Sequence, residues 1–133
     1  MNKRPDPKKA QSIIISAERD MKFTLTLKPT EDSSATIIRN IYESFRMLGE
    51  ALLVRRGVRS YDHVSQIDEL INLNVKAERP LRVLENLRSL RHNINYHGYS
   101  PKRAEVMDTL DIAKTLFSPL LAEVKHKIGE KTI

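Results

Sequence analysis

Apolar residues recur at spacings of three and four along most of this chain, which is the period of an amphipathic α-helix. From Gln11 to about Leu27 the positions Ile13, Ile14, Ala17, Met21 and Leu25 follow it. β-Branched Ile15, Thr24 and Thr26 make this the weakest of the helical segments. Pro29-Thr30 interrupts the pattern. Thr30 is the expected N-cap of the next helix, with Glu31 and Asp32 suited to its first turn. That helix is long: Ile37, Ile38, Ile41, Tyr42, Phe45, Leu48 and Leu52 share one face, and Gly57 is placed to end it at C′.

Ser60 or Asp62 can cap a short third helix containing Val64, Ile67, Leu70 and Ile71. A fourth helix is expected from about Pro80, a good N1 residue, to His97, with Gly98 as its stop. Ser100-Pro101 is an N-cap and N1 pair for the last helix. Its apolar side carries Val106, Met107, Leu110, Ala113, Phe117, Leu120, Leu121, Val124 and Ile128. Pro119 falls inside this run and is expected to kink or break it. Five amphipathic helices with short connectors predict an all-α, up-and-down helical bundle. Because each helix has a single apolar face, none is expected at the centre of the core, and some faces are wide enough to serve a second subunit.

Composition narrows the class. With 133 residues the chain holds one domain, and 40% apolar with 30% charged residues fits a globular protein of modest core. Aromatics are only 5%, so the core is built mostly of aliphatic side chains. The absence of cysteine excludes disulfide scaffolds, thiol nucleophiles and cysteine-based zinc sites. No stretch approaches the roughly 20 apolar residues of a membrane span, and no signal-peptide hydrophobic region follows the basic start. The expectation is a cytoplasmic protein without a membrane partner. Four glycines in all argue against a phosphate-binding glycine loop.

Charge is uneven. The net +6 divides into +4 over residues 1–30, −2 over 31–75, +5 over 76–103 and −1 over 104–133. Residues 1–10, with two prolines and four basic residues, read as a flexible basic arm, and 11–133 as one helical domain. The second basic block contains Arg79, Arg82, Arg88, Lys102 and Arg103. Of these, Arg88, Lys102 and Arg103 are candidates to contact a nucleic-acid backbone.

That block surrounds the one segment dense in chemistry, Leu90-Arg91-His92-Asn93-Ile94-Asn95-Tyr96-His97-Gly98-Tyr99. On an ideal helix Leu87, Leu90 and Ile94 form the apolar stripe. Arg91 and His97 then flank it on opposite sides, while His92 and Tyr96 point largely away. Arg91 and His97 are too far around the helix for a short mutual hydrogen bond, so a composite site across an interface is the more natural geometry. In the last turn, the negative end of the helix dipole favours the imidazolium form of His97. Histidine to move a proton and arginine to hold phosphate oxygens suit chemistry on a phosphodiester. A helix-end Arg–His pair also serves as a cap or ion-pair element in ordinary bundles.

The segment resembles the R-x(4–6)-H signature of HEPN domains, with Arg91, five intervening residues and His97. Upstream, Tyr42-Glu43-Ser44, then Leu48-Gly49-Glu50-Ala51-Leu52-Leu53, then Gly57 and Ser60-Tyr61-Asp62-His63 look like a recurrent pattern of small prokaryotic HEPN proteins. The resemblance covers roughly residues 30–125. It implies an all-α bundle, commonly a homodimer, in which the R…H motifs of two protomers meet in a cleft. Many members are metal-independent endoribonucleases. On that pattern Arg91 orients the scissile phosphate of RNA, His97 is the acid or base, and His92 is the polar helper where the family more often has Asn. Attack by the RNA 2′-hydroxyl would give a cyclic phosphate, with no cofactor. Other members of this size are toxins or substrate-binding subunits paired with a minimal nucleotidyltransferase. Tyr99, two residues after His97, matches a tyrosine that is nucleotidylated in some toxins.

The remaining polar residues read as structural. His63 is expected to be a capping or surface histidine. His126 lies among Lys125, Lys127 and Lys131 in a basic C-terminus. Neither makes an i, i+4 metal pair, so no metal site is expected. Arg55, Arg56 and Arg59 favour the end of the long helix, and Glu105, Asp108 and Asp111 read as a solvated face.

Overall fold

Asp6 and Pro7 start the first helix earlier than the apolar period suggests. The Asp6 carboxylate accepts from the Lys9 amide at 3.0 Å and Pro7 stands in the first turn, so α1 runs Pro7–Thr24. The computed structural model describes residues 4–59 and 62–129. Within it the remaining helices are α2 (Ser34–Arg55), α3 (His63–Ile71), α4 (Val83–His97) and α5 (Arg103–Gly129). The chain is thus an all-α bundle of five helices, with no strand among the described residues.

Residues 7–10, read from sequence as part of an arm, are the first turn of α1. Ala10 is fully buried there, and the Asp6 amide donates to the Val54 carbonyl at 3.2 Å. The cap pair and one small buried residue outweigh the local charge.

Thr30 is not the N-cap of α2, which is Ser33; it closes the turn ahead of the helix instead. Its amide donates to Ser33 Oγ at 2.8 Å and its Oγ1 accepts from the Ser33 amide at 3.1 Å, which closes a turn before Ser34. At the other end Gly57 adopts φ 73° directly after Arg56, the left-handed C′ position that favours glycine. Asp62 is the cap of α3, accepting from the Ser65 amide at 2.8 Å. The Ser60 alternative lies outside the described residues. The last helix passes through Pro119 without a break, although Pro119 offers no N–H to the Thr115 carbonyl.

The expectation that no helix is central fails for α2. It packs against α1, α3, α4 and α5 through one wide buried face that includes Ile37, Ile38, Ile41, Tyr42, Ser44, Phe45, Leu48, Gly49, Leu52 and Leu53. Its polar positions escape the core by local pairing. Arg46 pairs with Glu43 and Glu50 and donates to Gln66 Oε1 of α3 at 2.9 Å, and the Ser44 hydroxyl donates to the Asn40 carbonyl. Burial of each Ile or Leu along α2 contributes about 1.5–3 kcal/mol. Phe45 meets Phe117 of α5 edge to face, with ring centroids 5.5 Å apart.

Several charged residues read as solvated are ties between elements. Arg79, in the connection before α4, donates to Asp108 at 2.7 Å and to Asp111 at 3.0 Å on α5. Arg56 pairs with Glu69 of α3, and Arg55 Nε donates to the Ile128 carbonyl at 3.4 Å. Among the described residues, no helix is long and apolar enough to cross a membrane.

Candidate functional site

Helix α4 lies on α2 through Leu84, Leu87 and Ile94, all buried. Its next face, turned toward the start of α3, presents Arg88, Arg91, His92 and Tyr96 at offsets of 3, 4 and 8 from Arg88. With His63 and Val64 of α3 they line a shallow depression of about 250 Å³. Two glycines frame it: Gly57 ends α2 so that the chain can turn into α3, and Gly98, at φ 63°, stops α4 directly after His97.

Beneath the depression lies Tyr42 of α2, 1% exposed. The Arg91 guanidinium stands 5.4 Å from the centroid of the Tyr42 ring and 6.0 Å from that of Tyr96. The His63 ring lies 5.6 Å from that of Tyr42. Two buried polar atoms have no hydrogen-bond partner among the described residues, the Tyr42 hydroxyl and Arg88 Nε. Neither Arg88 nor Arg91 forms an ion pair with a described carboxylate, in contrast to Arg46 and Arg79.

This concentration of positive charge acts on its neighbours. Burial pushes the Tyr42 phenol up to about 12, against the opposing pull of Arg91, Arg46 and Arg88. His63 is held below the usual histidine range, first by burial and then by the Arg91 and Arg46 charges; Glu43 and Asp62 oppose this. Its place in the first turn of α3 acts in the same direction, because a helix N-terminus disfavours a cation.

The candidate residues fall into three groups. Arg88, Arg91 and His92 share the depression. His97 does not line it: it is exposed, and its ring lies 5.6 Å from that of His92. Lys102 and Arg103 are exposed at the start of α5, away from the depression lining. The helical projection thus holds for Arg91, half-buried at the edge of α4 over Tyr42, and for His92 and Tyr96, which are exposed; it fails for His97, which is exposed and not at a buried edge. No residue of α4 beyond Ile94 is buried: Asn95 Oδ1 accepts from Arg39 Nε of α2 at 2.6 Å, while His97 is exposed. The start of α3 lines the depression on the His92 side. The His92 and Tyr96 rings meet there at 4.7 Å.

His63, expected from sequence to be a capping or surface histidine, and Tyr42, expected on the apolar face of the long helix, also lie at the site. They lie 28 and 49 positions from Arg91, and only the α2–α3–α4 packing brings them to it. Tyr99 is half-buried, and its hydroxyl donates to Glu105 Oε1 at 2.6 Å, which holds the phenol above its ordinary value. Among the described residues no three His, Asp or Glu side chains are grouped so as to hold a metal ion. A larger cavity, of about 350 Å³, lies between the start of α1 and the end of α2, but its charges are mixed: Arg4, Lys9 and Arg59 face Asp6 and Glu50. The depression at α4 has two arginines and no carboxylate in its lining, and is the candidate site.

No protein-family model matches the chain, and no curated protein or solved structure matches it significantly.

Proposed function

We propose that this protein is a HEPN-type endoribonuclease that cuts RNA without a metal ion. The observation that carries the reading is the pair Arg88 and Arg91, side by side at a surface depression with no carboxylate partner among the described residues and imidazoles around them. Two guanidinium groups without a described carboxylate partner, one of them over the Tyr42 ring, leave a positive field at the depression that an anion would complete. A phosphodiester fits, because a guanidinium binds its oxygens in bidentate fashion and stabilises the charge that develops on them.

In this reading Arg91 orients the scissile phosphate, Arg88 holds a neighbouring backbone oxygen, and His92 is the polar helper beside them. His97 is the acid–base group. It is exposed beyond the depression, so the reading includes a homodimer in which the helix ends of two copies meet and one copy's His97 reaches the phosphate held by the other. The 2′-hydroxyl attacks the adjacent phosphate, and the products are a 2′,3′-cyclic phosphate and a 5′-hydroxyl. The +5 charge of residues 76–103 favours RNA approach at this side of the molecule.

The test is cleavage of single-stranded RNA in excess EDTA by wild type, Arg91→Ala and His97→Ala. Cyclic-phosphate ends from wild type and at least ~100-fold slower cleavage by both variants, with unchanged helical circular dichroism, are expected. Equal cleavage by all three proteins overturns the reading.

A further inference from the structure

We propose that His63 is the general base of this site, taking the proton from the attacking 2′-hydroxyl within the protomer whose Arg91 holds the phosphate. The inference rests on the ribonuclease reading and adds a catalytic residue that the Arg91–His97 spacing does not contain.

The argument starts from position. His63 lies on a different helix from every other polar side chain that lines the depression, and it faces Arg88, Arg91 and His92 across it. A nucleotide whose phosphate lay on the arginines would therefore have the α4 side chains on one side and this imidazole on the other. The ring is half-buried, with one side against Tyr42 at 5.6 Å and the rest open to the depression. Its neighbour Val64 is 45% exposed, so the approach is not blocked by packing.

The surroundings fix the protonation state that a base needs. From α2, His63 meets Arg46, Glu43 and the un-ionised phenol of Tyr42; from α4, Arg88, Arg91 and His92; on its own helix, Asp62. The Asp62 carboxylate is engaged as the α3 cap, and Glu43 is paired with Arg46. The two cations on α4 have no such partner. Burial, this charge and the helix N-terminus all favour the neutral imidazole, so His63 is a proton acceptor at neutral pH. His97, at the C-terminal end of α4, is exposed and stands outside the depression.

The step is then balanced. His63 accepts the 2′-hydroxyl proton as the O2′–P bond forms and the P–O5′ bond breaks. The leaving 5′-oxygen takes a proton from the His97 imidazolium, and solvent restores both rings.

The experiment compares wild type, His63→Ala and His63→Gln for cleavage across pH 4.5–9. It also measures binding of the same RNA carrying a 2′-deoxy sugar at the cut position. Expected are a kcat/KM at least ~100-fold lower in both variants and loss of the limb along which wild-type activity rises with pH. Binding should change less than ~3-fold, and added imidazole should partly rescue His63→Ala. Wild-type rates and an unchanged pH profile in the variants overturn the inference and leave the ribonuclease reading standing. Slow cleavage with lost RNA binding and no imidazole rescue means a structural role, and also overturns it. Absence of cleavage by wild type overturns both.

Discussion

The Arg91 guanidinium lies over the ring of Tyr42, 5.4 Å from its centroid, without a carboxylate to neutralise it among the described residues. The ring's negative face gives the cation about 0.5–2 kcal/mol of attraction. A π-face, unlike a carboxylate, leaves the charge uncancelled, so the field reaches the depression and its neighbours. That contact makes Tyr42 the floor of the site and joins the α4 cations to the central helix.

If Arg88 and Arg91 each hold a phosphate, their loss must show in the salt dependence of RNA binding. Neutralising a phosphate on a single strand contributes about 0.7 to the slope of log K against log salt. Arg88→Gln and Arg91→Gln are expected to lower the slope by about that amount each, and the double variant by about twice it. Fluorescence anisotropy of a labelled oligonucleotide between 50 and 300 mM salt measures this. Unchanged slopes would count against phosphate contacts at these residues.

The Tyr42 hydroxyl is buried and has no hydrogen-bond partner among the described residues, so removing it relieves a desolvation cost. Tyr42→Phe is expected to keep or raise stability, by up to about 1–2 kcal/mol in urea denaturation. A loss of more than about 1 kcal/mol would show that the hydroxyl makes a stabilising bond.

The same phenol gives a pH signature. Tyr42 titrates near 12 in the fold and near 10 in an unfolded chain. A group whose folded value is raised contributes stability in full below the unfolded value and loses it as pH rises to the folded one. Wild type should therefore lose stability between about pH 10 and 12 more steeply than Tyr42→Phe, as followed by circular dichroism.

At Gly49 the backbone of α2 comes close to that of α3. A Cβ placed there would stand 1.9 Å from the Gln66 carbonyl oxygen and 2.7 Å from its carbon, both backbone atoms that cannot rotate away. Gly49→Ala is expected to push α3 outward and to cost at least about 1–3 kcal/mol, the range for forced overpacking. Because α3 carries His63, RNA cleavage should fall with it. A variant as stable as wild type would contradict the close crossing.

Arg79 joins two exposed carboxylates of α5, so its tie should be modest and screened. Arg79→Met is expected to cost about 1 kcal/mol at low salt and less at 1 M salt. A cost that does not fall with salt would assign its effect to packing of the side-chain stem instead.

The sequence alone determined the five helices and several of their ends. A 3.6-residue period of apolar side chains, Asp62 before α3, and glycines after Arg56 and His97 act through atoms within a few positions of each other. It also placed Arg88, Arg91 and His92 together, since residues three and four apart on one helix are neighbours wherever it packs. The tertiary structure decided the rest. It made α2 central, turned the first residues of the expected arm into a buried helix start, and left His97 exposed at the end of α4. It brought His63 and Tyr42 to Arg91. These outcomes depend on which helix covers which flank. That is set by the fit of whole faces, as where α2 meets α3 at Gly49, and such a fit joins residues whose separation in the chain carries no periodic signal.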